Sequence, residues 1–355
     1  MTAVATTAVA TTAVDTHSGA AARRRREAIE GYLFLLPNIL GFLIFFAGPL
    51  ILSLYYSLTD WDLLTPPKVI WFQNFVDALK IQVRPAAFQA ALASGKGFFD
   101  ALGKLVAASD PMFWKALGNT VIYAFGVIAF AIVPAFLLAY LLNSKLRGMT
   151  FFRGLYYLPV VASVVGVALV YLWIFYREGG AVNYLLGVVV QGINGIFGSQ
   201  IPKPVIGWLN DPTSPGLSLF TLIILSSWRL IGYDMVIFLA ALQAVPTTLV
   251  EAFWVDGASR GLVLRKLIIP LVTPTIFFIL VTNLIEVLQV FSEPYIMTRG
   301  GPANATITVV YYLYQKGFMR FQMGYASALA WIAFGIILAI TSVQFRLSKR
   351  WVVED

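Results

Sequence analysis

The sequence predicts an all-α integral membrane protein with six transmembrane helices. Of its 355 residues, 59% are hydrophobic and only 12% are charged, and the mean hydropathy is +0.80. A soluble domain has about 25% charged and about 45–50% apolar residues, because part of any globular surface must face water. The second observation is a set of six apolar runs of about 20 residues, the length with which a helix crosses roughly 30 Å of hydrocarbon. Together, these observations exclude most soluble enzymes.

The predicted spans follow one another along the chain, at 32–58, 120–142, 156–175, 217–242, 273–291 and 324–345. Pro37 and Pro49 interrupt the first run, and neighbouring helices in a bundle can accommodate such breaks. A seventh apolar run, 184–197, is too short for a span and contains Gly192 and Gly195. We expect it to form an interfacial or re-entrant segment.

The distribution of basic residues predicts the orientation. With the N-terminus inside, the inner segments carry 13 of the 25 Lys and Arg residues, although the outer segments are longer in total. Cytoplasmic loops carry this excess, so both termini are predicted to be cytoplasmic. The net charge of +8 is then a topology signal. We expect membrane lipid around the chain and no nucleic-acid partner.

The segments outside the spans differ in character. Residues 1–30 open with the repeats TAVAT, TAVAT and TAVDT, and this low complexity predicts a disordered cytoplasmic tail. Residues 349–355 form a second cytoplasmic tail, and 31–348 form one six-helix domain. Its first outer loop, 59–117, is extended and holds an Ala-rich amphipathic stretch, 85–108, for which we expect one or two small helices.

The residues of most catalytic and metal sites are missing from the sequence. There is no cysteine, and the single histidine is His17 in the tail, which excludes disulfides, thiolate nucleophiles, multi-histidine metal sites and most His-based triads. No phosphate-binding G-x-x-x-x-G-K-[ST] loop occurs. We therefore predict no catalytic residue, no metal site and no cofactor in this chain, and the sequence favours a conduit over an enzyme.

The most informative segment is the long loop at 244–272, on the predicted cytoplasmic side. Pro246 can start a helix there, with one of the two threonines after it as the cap and Glu251 in its first turns, where the helix dipole favours an acid. Gly257 permits a sharp turn. A second predicted helix, 262–269, then runs into the fifth span.

This loop carries the pattern Glu251-Ala252-Phe253, then Gly257, then Leu267-x-Ile269-Pro270. The pattern resembles the coupling loop of permease subunits in binding-protein-dependent ABC importers, where Glu-Ala-Ala, Gly and Ile-x-Leu-Pro stand at the same spacing. The sequence is similar to the sugar-importing branch, which includes the maltose and glycerol-3-phosphate permeases. That likeness extends to Leu35-Leu36-Pro37, Asp256-Gly257-Ala258-Ser259, Met297-Thr298-Arg299-Gly300-Gly301-Pro302 and Gly324-Tyr325-Ala326-Ser327-Ala328.

The resemblance implies a type I ABC importer permease fold in the inner membrane of a prokaryote. Such a permease pairs with a homologous second permease, binds two nucleotide-binding ATPase subunits, and receives its solute from an extracytoplasmic binding protein. It works by alternating access, and ATP and Mg²⁺ are bound by the ATPase subunits. The family pattern assigns the coupling contact to Glu251, Ala252, Asp256, Gly257 and Ala258.

Polar side chains within the spans predict the solute path, because an ionisable residue in the bilayer is costly and usually faces the bundle interior or a cavity. Arg229 and Tyr233 share a face of the fourth span, and Asn283 and Glu286 are three residues apart in the fifth. These groups can hydrogen-bond sugar hydroxyls. By resemblance to the maltose permease, the same site includes Leu230, Val287 and Val290. The structural alternative is that Arg229 and Glu286 pair only to hold two helices together.

A sugar or oligosaccharide is the expected solute, and three alternatives stay open. The first is an importer of the same kind for a polyol or a glycerol phosphate, since Arg229 would suit a phosphate. The second is a secondary transporter, which would work without ATPase partners and would leave the loop pattern without a role. The third is a membrane enzyme.

Overall fold

The computed structural model describes residues 16–83, 89–90, 93–94, 106–144 and 147–352. The chain forms two compact units, Met1–Tyr55 and Tyr56–Asp355. Residues 31–55 lie in the first of these units, and the single six-helix domain over 31–348 stays a prediction.

The first unit is built on a long helix. α1 spans Thr16–Phe42, a π-helical turn follows at Leu43–Ala47, and α2 spans Gly48–Ser57. Alanine, arginine and glutamate favour a helix in the N-terminal part, and ion pairs one turn apart join Arg23 to Glu27 and Arg26 to Glu30. Residues 16–30 are thus helical rather than the disordered tail that low complexity predicted, and the repeats at 1–15 lie outside the described residues.

The second unit is almost entirely helical. Its described elements, in chain order, are β1 (Thr59–Asp60), β2 (Lys68–Val69), α3 (Gln73–Leu79), β3 (Ile81–Val83), β4 (Val106–Ala108), α4 (Pro111–Leu142), α5 (Met149–Val161), α6 (Val164–Ile174), α7 (Ala181–Phe197), α8 (Pro215–Ala244), α9 (Thr247–Val255), α10 (Arg260–Val263), α11 (Ile269–Leu288), α12 (Val309–Tyr314) and α13 (Met323–Ser348). Further π-helical turns lie at Leu264–Ile268, Pro294–Thr298 and Gln315–Met319.

Five helices within the described residues are long and apolar enough to cross a membrane. They are Arg23–Ser57, Pro111–Leu142, Pro215–Ala244, Arg260–Leu288 and Met323–Ser348. A sixth span results if the bent pair of α5 and α6 counts as one. The all-helical membrane fold that the sequence predicts is therefore confirmed, with five spans or six according to how this pair is counted.

The third predicted span, 156–175, is not one continuous helix. α5 and α6 meet at an angle of 100°, and Ala162 between them has an extended backbone. Pro159, near the end of α5, lacks the amide hydrogen that continues a helix. The 13 residues of α5 extend about 20 Å, less than the roughly 30 Å of hydrocarbon. Hydropathy alone could not show this break, because both halves are apolar.

Two local expectations outside the spans also change. The run around 184–197 is an unbroken 17-residue helix, α7, which passes through Gly192 and Gly195 and ends at Gly198 with a φ of 63°. At the end of the stretch 85–108, residues 106–108 form β4, which pairs antiparallel with β3. Most of the remainder of that stretch lies outside the described residues.

The core of the second unit forms where α4 packs along α8. The face of α4 towards the protein interior is lined by the small residues Ala116, Ala124, Ala131, Ala135 and Ala139, all buried. At Gly126 a Cβ atom would stand 2.7 Å from Ile223 of α8, so this position has no room for a side chain. The close approach brings polar groups of α4 and α8 within hydrogen-bonding distance.

Candidate functional site

A cleft of about 200 Å³ lies between α4, the start of α6, α8, and the end of α11 with the segment after it. Its polar lining consists of Tyr123, Ser226, Arg229, Glu286, Gln289, Ser292 and Glu293, and its apolar lining of Val164, Val287, Val290 and Phe291. The cleft therefore offers hydrogen-bond donors and acceptors beside apolar surface.

An ion pair joins two walls of this cleft. Nη2 of Arg229 on α8 lies 2.5 Å from Oε1 of Glu286 on α11. The Arg229 side chain is 21% exposed and that of Glu286 47%. Nε of Arg229 is buried and has no hydrogen-bond partner among the described residues. The guanidinium is thus neutralised by one carboxylate and keeps a donor that no described protein group uses.

A second polar network crosses the cleft from α4. The Tyr123 hydroxyl donates to Oγ of Ser226 at 2.5 Å, and the Ser226 hydroxyl donates to Oε1 of Glu293 at 3.3 Å. All three residues are buried, and Glu293 stands in the segment after α11. The cleft lining therefore holds two carboxyl groups against one guanidinium.

A third polar pair lies away from the cleft. Nδ2 of Asn283 donates to Oδ2 of Asp234 at 2.7 Å. Asn283 is 1% exposed and Asp234 is fully buried, and neither residue lines the cleft. The structure thus gives Asn283 a partner on α8, and its place on the solute path stays a prediction.

Of the remaining residues predicted for the solute path, two line the cleft and two do not. Val287 and Val290 line the cleft. Leu230 is buried in a hydrophobic cluster that also contains these two valines, and it does not line the cleft. Tyr233 is 39% exposed and lies outside the lining as well.

The loop between α8 and α11 has a different character, because α9 contains no buried residue. Trp254 is 55% and Val255 87% exposed, and Glu251, Ala252 and Asp256 are exposed as well. Such apolar exposure on a structured loop is typical of a protein-binding surface.

Local hydrogen bonds fix the shape of this loop. Gly257 has a φ of 78°, a conformation that favours glycine. The Ala258 amide donates to the Phe253 carbonyl at 2.9 Å, and Oγ of Ser259 accepts a bond from the Leu262 amide. Pro246 itself occupies the position before α9, and no side chain caps the helix there. The predicted turn at Gly257 is thus confirmed, and the predicted threonine cap of α9 is wrong.

The loop is directly continuous with both walls of the cleft. α8, which carries Arg229, ends at Ala244. Only Val245 and Pro246 separate it from the first residue of α9, Thr247. The helix that leaves the loop runs without interruption over Arg260–Leu288 and carries Glu286. The loop is therefore joined by two helices to the two partners of the ion pair.

Comparison with known proteins identifies the family. The model of the binding-protein-dependent transport system inner membrane components matches residues 101–353. The chain belongs to this family. The probable ABC transporter permease YesP of Bacillus subtilis is 35% identical over 345 residues, covering 95% of this chain and 97% of YesP. The lactose transport system permease LacF of Rhizobium radiobacter is 33% identical, covering 83% of this chain and 94% of LacF.

A solved structure confirms the fold of this permease. The crystal structure of a bacterial ABC transporter involved in the import of the acidic polysaccharide alginate matches with a TM-score of 0.69 at 23% identity, covering 92% of this chain and 98% of that one. The permease is therefore a multi-pass protein of the bacterial inner membrane, a transport subunit rather than an enzyme, and part of an ABC importer that works with a binding protein.

Sequence reasoning found part of the cleft of this permease and missed the rest. Arg229 and Glu286 were found because charge is unusual within an apolar span. Ser226 lies three residues before Arg229, on the same face of the helix. It was missed because a serine is common in membrane spans and gives no signal of its own. Tyr123 and Glu293 come from distant segments, and no local pattern links them to α8.

Proposed function

We propose that this permease moves a sugar or oligosaccharide inward through the cleft between α8 and α11, as part of an ATP-driven carbohydrate importer. The observation that carries the proposal is the composition of the cleft: a guanidinium, two carboxyl groups, three hydroxyls and an amide beside apolar side chains. Sugar hydroxyls both donate and accept hydrogen bonds, so such a mixed set suits them. The similarity to LacF supports the same solute class.

The charge of the cleft favours a neutral solute over a phosphate ester. Arg229 is already bound to Glu286, and Glu293 places a second carboxyl group in the lining. A phosphate bound to Arg229 would have to displace one carboxylate and approach another. Repulsion from that carboxylate opposes the gain from a bidentate contact. A glycerol phosphate importer is therefore the second candidate, supported by the unused Nε of Arg229.

We propose further that the loop around α9 is the contact with the ATPase subunits. Glu251, Ala252 and Asp256 are exposed on it, Gly257 forms its turn, and Ala258 follows. The importer would contain a homologous second permease, two ATPase subunits that bind ATP and Mg²⁺, and a solute-binding protein. With both termini in the cytoplasm, this loop lies on the cytoplasmic side.

The mechanism that we propose is alternating access, and the continuity of the loop with the cleft walls supports it. Closure of the ATPase subunits would displace the loop. Because α8 and the helix Arg260–Leu288 both begin or end at this loop, the displacement would separate or join the walls that carry Arg229 and Glu286. The solute would undergo no chemical change.

The test is uptake by the complex that co-purifies with this permease, reconstituted in proteoliposomes with ATP supplied to the ATPase side. Lactose, maltotriose and glycerol 3-phosphate serve as solutes. We expect ATP-dependent accumulation of a sugar and none of the phosphate ester. Accumulation of glycerol 3-phosphate alone would support the second candidate, and accumulation without ATP would support a secondary transporter.

Variants of the cleft connect this transport to the proposed site. Glu286→Gln removes the partner of Arg229, and Glu293→Gln removes the second carboxyl group. We expect each to raise the KM for the transported sugar about tenfold, the loss of one charge-assisted hydrogen bond. Glu178→Gln, at an exposed glutamate outside the cleft, is the matched control, and equal kinetics for all three variants would contradict the assignment.

A further inference from the structure

Four aromatic rings form a continuous series beside the cleft. Phe291 stacks on Tyr295 with ring centroids 5.2 Å apart, and Tyr314 lies 5.1 Å from Phe291 and 5.6 Å from Tyr295. Phe318 stacks on Tyr314 at 5.4 Å. We call Phe291, Tyr295, Tyr314 and Phe318 the aromatic track.

The track leads from the cleft to the surface. Phe291 is part of the cleft lining, and Phe318 at the other end is 57% exposed. Tyr295 between them is 38% exposed. All four rings belong to the segment between α11 and α13, at the end of α11 opposite to the coupling loop. In the predicted orientation this end is extracytoplasmic.

Buried residues pack against the rings of the track. Tyr311, which is buried, lies 5.9 Å from Tyr295 and 6.1 Å from Phe291 and supports both rings from behind. Behind the rings, Oγ1 of Thr308 donates to the Val290 carbonyl at 2.9 Å. Tyr311 thus packs against Phe291 and Tyr295 and leaves Tyr295 38% exposed.

The track combines aromatic rings with the phenol hydroxyls of Tyr295 and Tyr314, which favours an amphipathic ligand. The ring centroids of these two tyrosines lie 5.6 Å apart. A purely apolar partner surface would have to bury these hydroxyls at a cost. A sugar ring presents a face of C–H groups that stacks on an aromatic ring and hydroxyls that bond to a phenol at its edge.

We propose that the aromatic track binds successive rings of the sugar and leads it from the extracytoplasmic surface into the cleft. This inference rests on the proposed carbohydrate function and adds an entry site to it. Its occupant is the ring of a sugar, because the series is continuous with the cleft and its exposed members offer a phenol at Tyr295 and an aromatic ring at Phe318. A solute without a ring, such as glycerol 3-phosphate, would gain nothing from it.

Uptake kinetics of the reconstituted complex test the track with matched pairs of variants. Tyr295→Leu and Phe318→Leu remove a ring, whereas Tyr295→Phe and Phe318→Tyr keep it. The solute is lactose or maltotriose, whichever the wild-type complex accumulates. We expect each leucine variant to raise the KM for it about two- to tenfold. The ring-retaining variants should keep a KM near that of the wild type. Phe72→Leu, at an aromatic residue that is 64% exposed and outside the track, is the control.

Cysteine labelling tests the same contact without transport, and the chain contains no native cysteine. Tyr295→Cys, Phe318→Cys and the control Phe72→Cys are labelled in the assembled complex with a membrane-impermeant maleimide. We expect saturating lactose or maltotriose to slow labelling at least twofold at 295 and 318 and not at 72.

The outcomes separate this proposal from the proposed function. A wild-type complex that moves neither sugar overturns both. Sugar uptake by the wild type, with unchanged KM in the leucine variants and no protection from labelling, overturns the track alone. Loss of the second permease or of the binding protein from the leucine variants, with labelling unprotected by sugar, shows that the rings form a protein interface and also overturns the track.

Discussion

The cleft and the coupling loop are held together by opposite kinds of contact. In the cleft, Arg229 reaches Glu286 across 57 residues of chain, and Ser226 joins Tyr123 and Glu293, which are 103 and 67 residues away. In the loop, the hydrogen bonds that define the turn at Gly257 connect residues no more than five apart.

This difference determines how each region fails when it is changed. A buried polar group of the helix bundle depends on a distant partner, so removing one partner leaves the other unsatisfied. The loop depends on backbone conformation and leaves its side chains free for a partner. Changes near the cleft should therefore reduce stability or solute affinity, and changes in the loop should reduce coupling.

The largest expected effect is at the buried pair of Asp234 and Asn283, which lies away from the cleft. Asn283→Leu leaves the fully buried carboxyl group of Asp234 without its partner, and its other oxygen, Oδ1, already has none among the described residues. We expect a loss of about 3 kcal/mol in the free energy of unfolding, measured as lower thermal stability of the complex in detergent.

The double variant Asp234→Leu/Asn283→Leu is the matched control for this prediction. Replacing both partners by apolar groups removes the unsatisfied carboxyl group, so much of the stability should return. If Asn283→Leu instead keeps the wild-type stability and raises the KM for sugar, Asn283 contacts the solute as the family resemblance implied.

The second prediction concerns the turn of the coupling loop. Gly257→Ala forces an alanine to a φ of 78°, which costs about 1–2 kcal/mol. We expect ATP-driven uptake to fall about fivefold or more, with the KM for sugar unchanged. Uptake and ATP hydrolysis by the reconstituted complex are the measurements.

Gly261→Ala is the control in the same loop. Gly261 lies in α10, and a Cβ atom there would meet nothing within 4 Å. Its uptake should match the wild type. An equal loss in both variants would mean that the loop tolerates no added methyl group, and the argument from backbone conformation would fail.

The same contrast explains how much the sequence could predict. The loop around α9 could be singled out because its residues stand in a spaced pattern within one segment, and Gly257 adopts the turn that its residue type indicated. Its contact with the ATPase subunits stays a proposal. The spans were recognised from hydropathy, but the 100° bend at Ala162 was not, because composition carries no information on direction. In the cleft, Arg229 and Glu286 were visible as charges in apolar runs. Tyr123 and Glu293 reach the cleft only because α4 and the segment after α11 both pack against α8.

The smallest expected effect is at Asp110, where local and distant contacts meet. Its Oδ1 accepts bonds from the Met112 and Phe113 amides and caps α4, and its Oδ2 accepts bonds from the Tyr312 and Tyr325 hydroxyls. Burial raises the pKa of this carboxyl group, but these bonds and the charge of Lys316 outweigh it and bring the pKa below its ordinary value of 3.8.

The pH dependence follows from the sign of this shift. A lowered pKa in the folded state stabilises the protein above the pKa of the unfolded state, and the contribution disappears as the pH falls through the folded value. Asp110→Asn should therefore cost about 1 kcal/mol at neutral pH and less once the pH is below 3.8. Tyr312→Phe removes one distant bond and leaves the cap intact, so its cost should be smaller at every pH. Thermal unfolding across this pH range measures both, and a larger loss in Tyr312→Phe would show that the distant contact, rather than the cap, controls this end of α4.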